Sequence, residues 1–220
     1  MTLIKSISGI RGTIGGAPQE NLTPLDAVKF SAAYGTWLKS QHPDSRIKVV
    51  VGRDARPSGP MIQSLVCQTL VGMGIDIVDL GLSTTPTVEI AVPMESAHGG
   101  IILTASHNPK EWNALKLLNH RGEFIDAAAG AQILAWVEQE AFVFNEVDDL
   151  GTITADNTYM NKHIDAVLAL DLVDAATIQK AGFKVVVDGV HSSGGVFIPA
   201  LLERLGVEVI TLYGEPTGQF

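Results

Sequence analysis

What most limits this chain is an alternation of two patterns. Short runs rich in branched aliphatic residues, Ile47–Val51, Ile75–Leu80, Gly99–Leu103, Phe183–Asp188 and Val207–Tyr213, have the length and composition of strands. Between them lie longer stretches with apolar residues at helical spacing. One begins at Thr23-Pro24, a capping residue followed by a first-turn proline, and continues through Leu25, Val28, Ala32 and Leu38 until His42-Pro43 stops it. Strand and helix patterns that take turns in this way specify an α/β fold.

The same spacing predicts helices over 61–71, through about 92 after Thr84-Thr85-Pro86, and over 126–140, 157–170 and 196–205. A short strand is expected at 3–7, and two strands about a turn at 119–122. Gly72-Met73-Gly74 precedes a strand, whereas a dinucleotide fingerprint follows one and opens a helix, so it reads as a helix end. The acidic, turn-prone piece 145–151 reads as a linker. It divides the chain into a first unit, 1–150, and a second, 151–220. Trp37 and Cys67 read as core residues, His42 as a surface residue, and His191 and Ser193 in the Gly-Ser-rich loop 189–195 as structural or peripheral.

Chemistry concentrates in Thr104-Ala105-Ser106-His107-Asn108-Pro109-Lys110-Glu111-Trp112-Asn113-Ala114-Leu115-Lys116. It follows the strand run Gly99–Leu103. Pro109 keeps Asn108 out of the helical region, so the chain must turn sharply at the strand end. Open α/β sheets place ligands at such ends. Ser106 is the natural nucleophile there, and His107 and Lys116 are proton carriers or phosphate contacts. Two further loops carry arginine. Ser8-Gly9-Ile10-Arg11-Gly12-Thr13-Ile14-Gly15-Gly16 sets Arg11 among four glycines, where backbone can approach a ligand closely. Gly52-Arg53-Asp54-Ala55-Arg56-Pro57-Ser58-Gly59-Pro60 ends a strand and starts a helix. Its two arginines suit either an anion at the helix end or a brace through Asp54, and the brace is the reading preferred.

The string TASHNP followed by an aromatic, Asn113 and Lys116 resembles the phosphoserine loop of the α-D-phosphohexomutases, the phosphoglucomutase, phosphomannomutase and phosphoglucosamine mutase family. SGIRG and GRDARPSG resemble that family's N-terminal segment and second loop. Trp112 stands where tyrosine is common and Ala114 where glycine is common. The resemblance implies three-layer α/β/α domains with mixed, mostly parallel sheets: domain I of the family and part of domain II. It implies that Ser106 carries a phosphoryl group to a hexose phosphate, with Arg11, Asn108 and Lys116 contacting phosphate, Lys116 or His107 moving the hydroxyl proton, and the second loop supporting the site wall. It further implies Mg2+ held by the serine phosphate and by aspartates of an Asp-rich loop, and a hexose 1,6-bisphosphate as activator. No Asp-x-Asp-x-Asp string occurs, so those ligands and the sugar-selecting residues are expected after Phe220, and a piece of this length is expected to show little activity alone.

Composition excludes some rivals. A net charge of −9 argues against wrapping nucleic acid, which needs a basic face. No run approaches a membrane span. Cys67, the single cysteine, rules out an internal disulfide and fits a reducing, cytoplasmic setting. The expected partner is a small sugar phosphate, with the chain a monomer or homodimer. A serine hydrolase would need a nucleophile elbow, and Ser106 lacks Gly-x-Ser-x-Gly. A non-catalytic sugar-phosphate-binding module is the remaining alternative.

Overall fold

In chain order the elements are β1 (Ile4–Ser6), β2 (Gly9–Thr13), α1 (Pro24–Gln41), β3 (Lys48–Arg53), α2 (Gly59–Gly72), β4 (Asp76–Leu82), α3 (Thr85–Met94), β5 (Gly99–Leu103), β6 (Trp112–Leu118), α4 (Ala127–Gln139), β7 (Ile153–Ala155), α5 (Tyr159–Leu168), α6 (Ala175–Ala181), β8 (Lys184–Asp188), α7 (Gly194–Arg204) and β9 (Glu208–Leu212). These come from a computed structural model that describes residues 1–6 and 9–220. Ile7 of the first expected strand and Ser8 of the expected glycine loop lie outside the described residues.

The first seven strands form one sheet in the order β1-β2-β6-β5-β3-β4-β7. Strands β5, β3, β4 and β7 are parallel neighbours, while β6 is antiparallel to β5, β2 to β6 and β1 to β2. Strands β2, β3, β4, β5 and β7 therefore run one way, which makes the sheet mixed and mostly parallel, as expected. Side chains alternate between its faces. Val49, Val51, Ile77 and Ile101 join α1, α2 and α4 in the larger core; Val50, Val78 and Ile102 join Val88, Ala91 and Val92 of α3 on the other face. Three layers result. A second, smaller sheet pairs β8 with β9 in parallel, with α7 as the crossover.

Local chemistry sets the helix ends. Thr23 and Asp26 form a reciprocal capping box at α1, with Pro24 in its first turn. Further along α1, Tyr34 is fully buried and donates its hydroxyl to the Leu118 carbonyl at 2.6 Å, with the Gly100 carbonyl 3.2 Å away. Burial pushes this phenol far above its ordinary range. A Cβ at Gly99 would overlap the same hydroxyl, which explains a glycine at the start of β5. Tyr34→Phe is expected to cost about 1–3 kcal/mol because a buried carbonyl loses its donor. Urea unfolding with an unchanged slope is the measurement.

Several expectations need correction. Residues 9–13 are strand, not loop: β2 is held between β1 and β6, and pairing with both neighbours outweighs its glycines. The pair of strands about 119–122 reduces to β6 and a single bridge, Leu118 to Phe124. The piece 145–151 is pinned, since the Asn145 amide bonds the Gly72 carbonyl at 2.8 Å and the Gly151 amide bonds the Val71 carbonyl at 2.9 Å. His42 is half-buried, its ring 4.8 Å from that of His98. Leu25 is exposed despite its helical spacing. Trp37 and Cys67 are buried, as expected.

Candidate active site

Strand β5 is buried along its whole length, and the chain turns as soon as it ends. The Thr104 hydroxyl accepts from the Ser106 amide at 3.0 Å, and the Asn108 amide donates to the Ala105 carbonyl at 3.2 Å. Between these bonds Ser106 takes φ 57°, the left-handed region. That conformation costs a non-glycine residue roughly 1–2 kcal/mol and is found where function requires it. Its effect is to turn Ser106 and His107 outward into solvent. Ser106→Gly is therefore expected to be more stable than Ser106→Ala by about 1 kcal/mol, which thermal unfolding should show as a gap of about 2–4 °C.

Arg56 holds this turn from beneath. It is fully buried, and its Nε bonds Asp54 at 3.0 Å. One terminal nitrogen donates to the carbonyls of Pro109 (2.5 Å) and Trp112 (2.8 Å), and the other to those of Ser106 (3.0 Å) and Asn108 (2.6 Å). A guanidinium has five donors in a rigid fork, and here all of them are spent on the loop and Asp54. Burial lowers the pKa of Arg56, against the opposing pull of Asp54. Arg53 braces the neighbouring turn, through Gln63 at 2.9 Å and the Asp54 carbonyl at 3.0 Å. The Ser58 hydroxyl makes no helix cap; it receives the buried Asn113 amide at 2.9 Å. The GRDARPSG loop is therefore a brace.

Arg11 and Lys116 meet on one face of the sheet. Arg11 pairs with Ala114, and Lys116 with Ile102. Directly paired residues share a face, as do residues two apart on a strand. Arg11, Ala114, Lys116 and Ile102 therefore all face α3. Lys116 lies in the middle of β6. Burial lowers its pKa, while the negative charges of Glu89 and Asp54 oppose the shift. Glu89, on α3, is itself raised by burial. The Arg11 Nε is buried without a partner.

A cavity of about 720 Å³ opens at this end of the sheet. Ser106, His107 and Asn108 line it together with Asp54 and Thr104. Its other walls include Ser83 to Pro86, Val190, Ser192, Ser193 and Phe220. Arg11 and Lys116 lie on the adjoining strands and do not line it. Ser193, read from sequence as peripheral, does line it, while His191 turns away with its ring against Tyr213. Sequence reasoning also missed Ser83 to Pro86. A capping Thr-Thr-Pro directly after a strand was the available signal, since it places a helix N-terminus at the ligand-binding edge.

Among the described residues no group of three or more His, Cys, Asp or Glu side chains is arranged to hold a metal ion. The described residues therefore do not fit an Mg2+ site of their own. Among the same residues no helix is long and apolar enough to cross a membrane.

Fold and site define a three-layer α/β/α protein with an exposed serine at a strand end, on a loop braced by a buried arginine. Residues 3–144 match the description of phosphoglucomutase/phosphomannomutase α/β/α domain I, and residues 161–220 that of domain II. The chain belongs to the phosphoglucomutase/phosphomannomutase family. It is 34% identical over 211 residues to a phosphoglucomutase/phosphomannomutase of Thermococcus kodakarensis, covering 95% of this chain and 45% of that one. It is 31% identical over 213 residues to a probable phosphoglucosamine mutase of Pyrococcus abyssi, covering 97% of this chain and 44% of that one. The crystal structure of a family protein from Burkholderia thailandensis shares the fold, with a TM-score of 0.79 at 23% identity, covering 99% of this chain and 46% of that one. The chain thus spans less than half the length of the curated relatives it matches.

Proposed function

We propose that the chain carries the phosphoryl-transfer serine of a hexose-phosphate mutase. The observation that bears most weight is Ser106, turned outward at a strand end, in a left-handed conformation, on a loop whose carbonyls are gathered by one buried arginine. Phosphoryl transfer depends on positioning and charge stabilisation, with little covalent work for the protein. A nucleophile fixed at the mouth of a cavity, with Arg11 and Lys116 on the strands beside it, meets that need.

In this reading phospho-Ser106 loses its O–P bond as a hexose monophosphate hydroxyl forms one; the hydroxyl proton passes to neutral Lys116, and His107 gives a proton to the departing Ser106 oxygen. The product is a hexose bisphosphate. Its other phosphoryl group returns to Ser106, whose O–P bond reforms as its hydroxyl proton goes back to His107, while Lys116 gives its proton to the freed sugar oxygen. Asn108 and Arg11 contact phosphate, and His107 is the second proton carrier. Mg2+ and a hexose 1,6-bisphosphate activator belong to the same reading, as does a cytoplasmic setting.

The test is peptide mass spectrometry on the chain with its full reading frame, after incubation with Mg2+ and a hexose 1,6-bisphosphate. Phosphate on Ser106, absent from Ser106→Ala, is the expected result. A folded protein whose Ser106 peptide stays unmodified sinks the proposal and leaves a non-catalytic sugar-phosphate binder.

A further inference from the structure

We propose that Ser83 and the first turn of α3 form a second oxyanion subsite in the cavity, one that takes a phosphate-ester oxygen. That the ester is a sugar phosphate rests on the function proposed above; the subsite itself rests on the geometry of these residues.

Ser83 is 3% exposed, and its hydroxyl has no hydrogen-bond partner in the protein, yet it lines the same cavity as Ser106. Its position is well determined. Its amide donates to the Arg53 carbonyl at 2.8 Å, and a Cβ on neighbouring Gly52 would lie 3.0 Å from its own. The adjacent hydroxyls are engaged. Those of Thr84 and Thr87 bond each other at 2.6 Å, and Thr87 also contacts His163 Nδ1 at 2.8 Å. A buried hydroxyl left unpaired is a cost that a ligand oxygen can remove.

The helix supplies the second half of the subsite. α3 has ten residues, and its first turn carries no acidic side chain. Pro86 has no amide hydrogen, and the Thr87 amide is taken by the Thr84 hydroxyl at 3.3 Å. Helix geometry leaves the Thr85 amide without an intrahelical acceptor, in the partial positive field of the N-terminus. A hydroxyl and an amide converging in that field select an anionic oxygen. Asn108 supplies a complement, since its side-chain oxygen, also on the cavity wall, is buried with no donor. A ligand that carries a phosphate for Ser83 and Thr85 and a hydroxyl for Asn108 satisfies all three groups. A phosphorylated sugar has that composition.

The experiment is titration of the full chain with inorganic phosphate, followed by calorimetry and thermal unfolding, for the wild type, Ser83→Ala and Thr85→Pro. Proline is compatible with a first helical position and deletes the amide donor together with the Thr85 hydroxyl; Thr85→Val, which removes the hydroxyl alone, should bind phosphate as the wild type does. Phosphate should bind and raise the Tm of the wild type, and Ser83→Ala and Thr85→Pro should each bind it about tenfold more weakly. Without phosphate, Ser83→Ala should be at least as stable as the wild type. A wild type that ignores phosphate, unchanged affinity in Ser83→Ala or Thr85→Pro, or a Ser83→Ala protein destabilised without phosphate would each overturn the subsite. Labelling of Ser106 is scored separately. Labelling with Ser83-independent phosphate binding removes the subsite and keeps the carrier serine; Ser83-dependent binding without labelling does the reverse.

Discussion

Replacing Arg56 by methionine is expected to lower stability by about 3–5 kcal/mol, the scale on which breaking a buried ion pair acts, and the Tm by on the order of 10 °C. Methionine roughly fills the space, so the loss comes from what the guanidinium leaves behind. Asp54 is 8% exposed and would lose its ion-pair partner, keeping only the bond its Oδ1 accepts from the backbone amide of residue 56 at 3.0 Å. Four carbonyls, those of Ser106, Asn108, Pro109 and Trp112, would lose the guanidinium together, and that of Pro109 would keep the Trp112 amide. Arg56→Lys should recover little, because a single ammonium cannot span carbonyls that a planar fork reaches from two nitrogens. Adding Asp54→Asn to Arg56→Met should restore part of the loss by removing the stranded charge. Urea unfolding of the two single variants and the double variant measures this directly. A loss below about 1 kcal/mol for Arg56→Met would show that the loop is organised by something else.

On the function proposed above, Lys116→Met in the full reading frame should slow phosphoryl transfer by about 10²–10⁴-fold, the usual worth of a positioned acid or base. The pH dependence separates this role from simple charge. Burial lowers the pKa of Lys116, with Glu89 and Asp54 opposing, so it becomes neutral at a lower pH than an ordinary lysine. Only the neutral form accepts a proton. The wild-type rate should therefore rise with pH through this depressed pKa and level off above it. In Lys116→Met that limb should vanish. A variant that is slower but keeps the wild-type profile would move the proton-transfer role to another group, with His107 the next to replace.

The parallel centre of the sheet was legible because strands buried on both faces must be continuously apolar, and Val49-Val50-Val51 and Ile101-Ile102-Leu103 are. The serine loop was legible because proline and small polar residues directly after such a strand leave few conformations. What escaped lacked a local cause. β2 is strand only because β1 and β6 flank it, and nothing in Gly9-Ile10-Arg11-Gly12-Thr13 announces that. β7 and α6 are short, and none of their residues is buried, so they show little periodicity. The GRDARPSG loop could be read as a brace, but not its reach from Arg56 to four carbonyls fifty or more residues away. The far wall of the cavity, Val190 to Ser193 and Phe220, is likewise brought to Ser106 only by the complete fold.

A protease that nicks the chain between Glu140 and Gly151 will not free the seven-stranded unit intact. The outermost strand, β7, lies beyond such a cut, and it alone covers the free side of β4 through the pairs Ile77–Ile153, Val78–Thr154 and Asp79–Ala155. Thr152 adds two bonds to Asp76 beside it. Without this hem, β4 presents an open row of amides and carbonyls, a template onto which another molecule's strand can add. A piece ending before Ile153 is thus prone to cluster with copies of itself, whereas one that runs past Asp156 keeps β4 paired and ends the sheet on a three-residue edge strand.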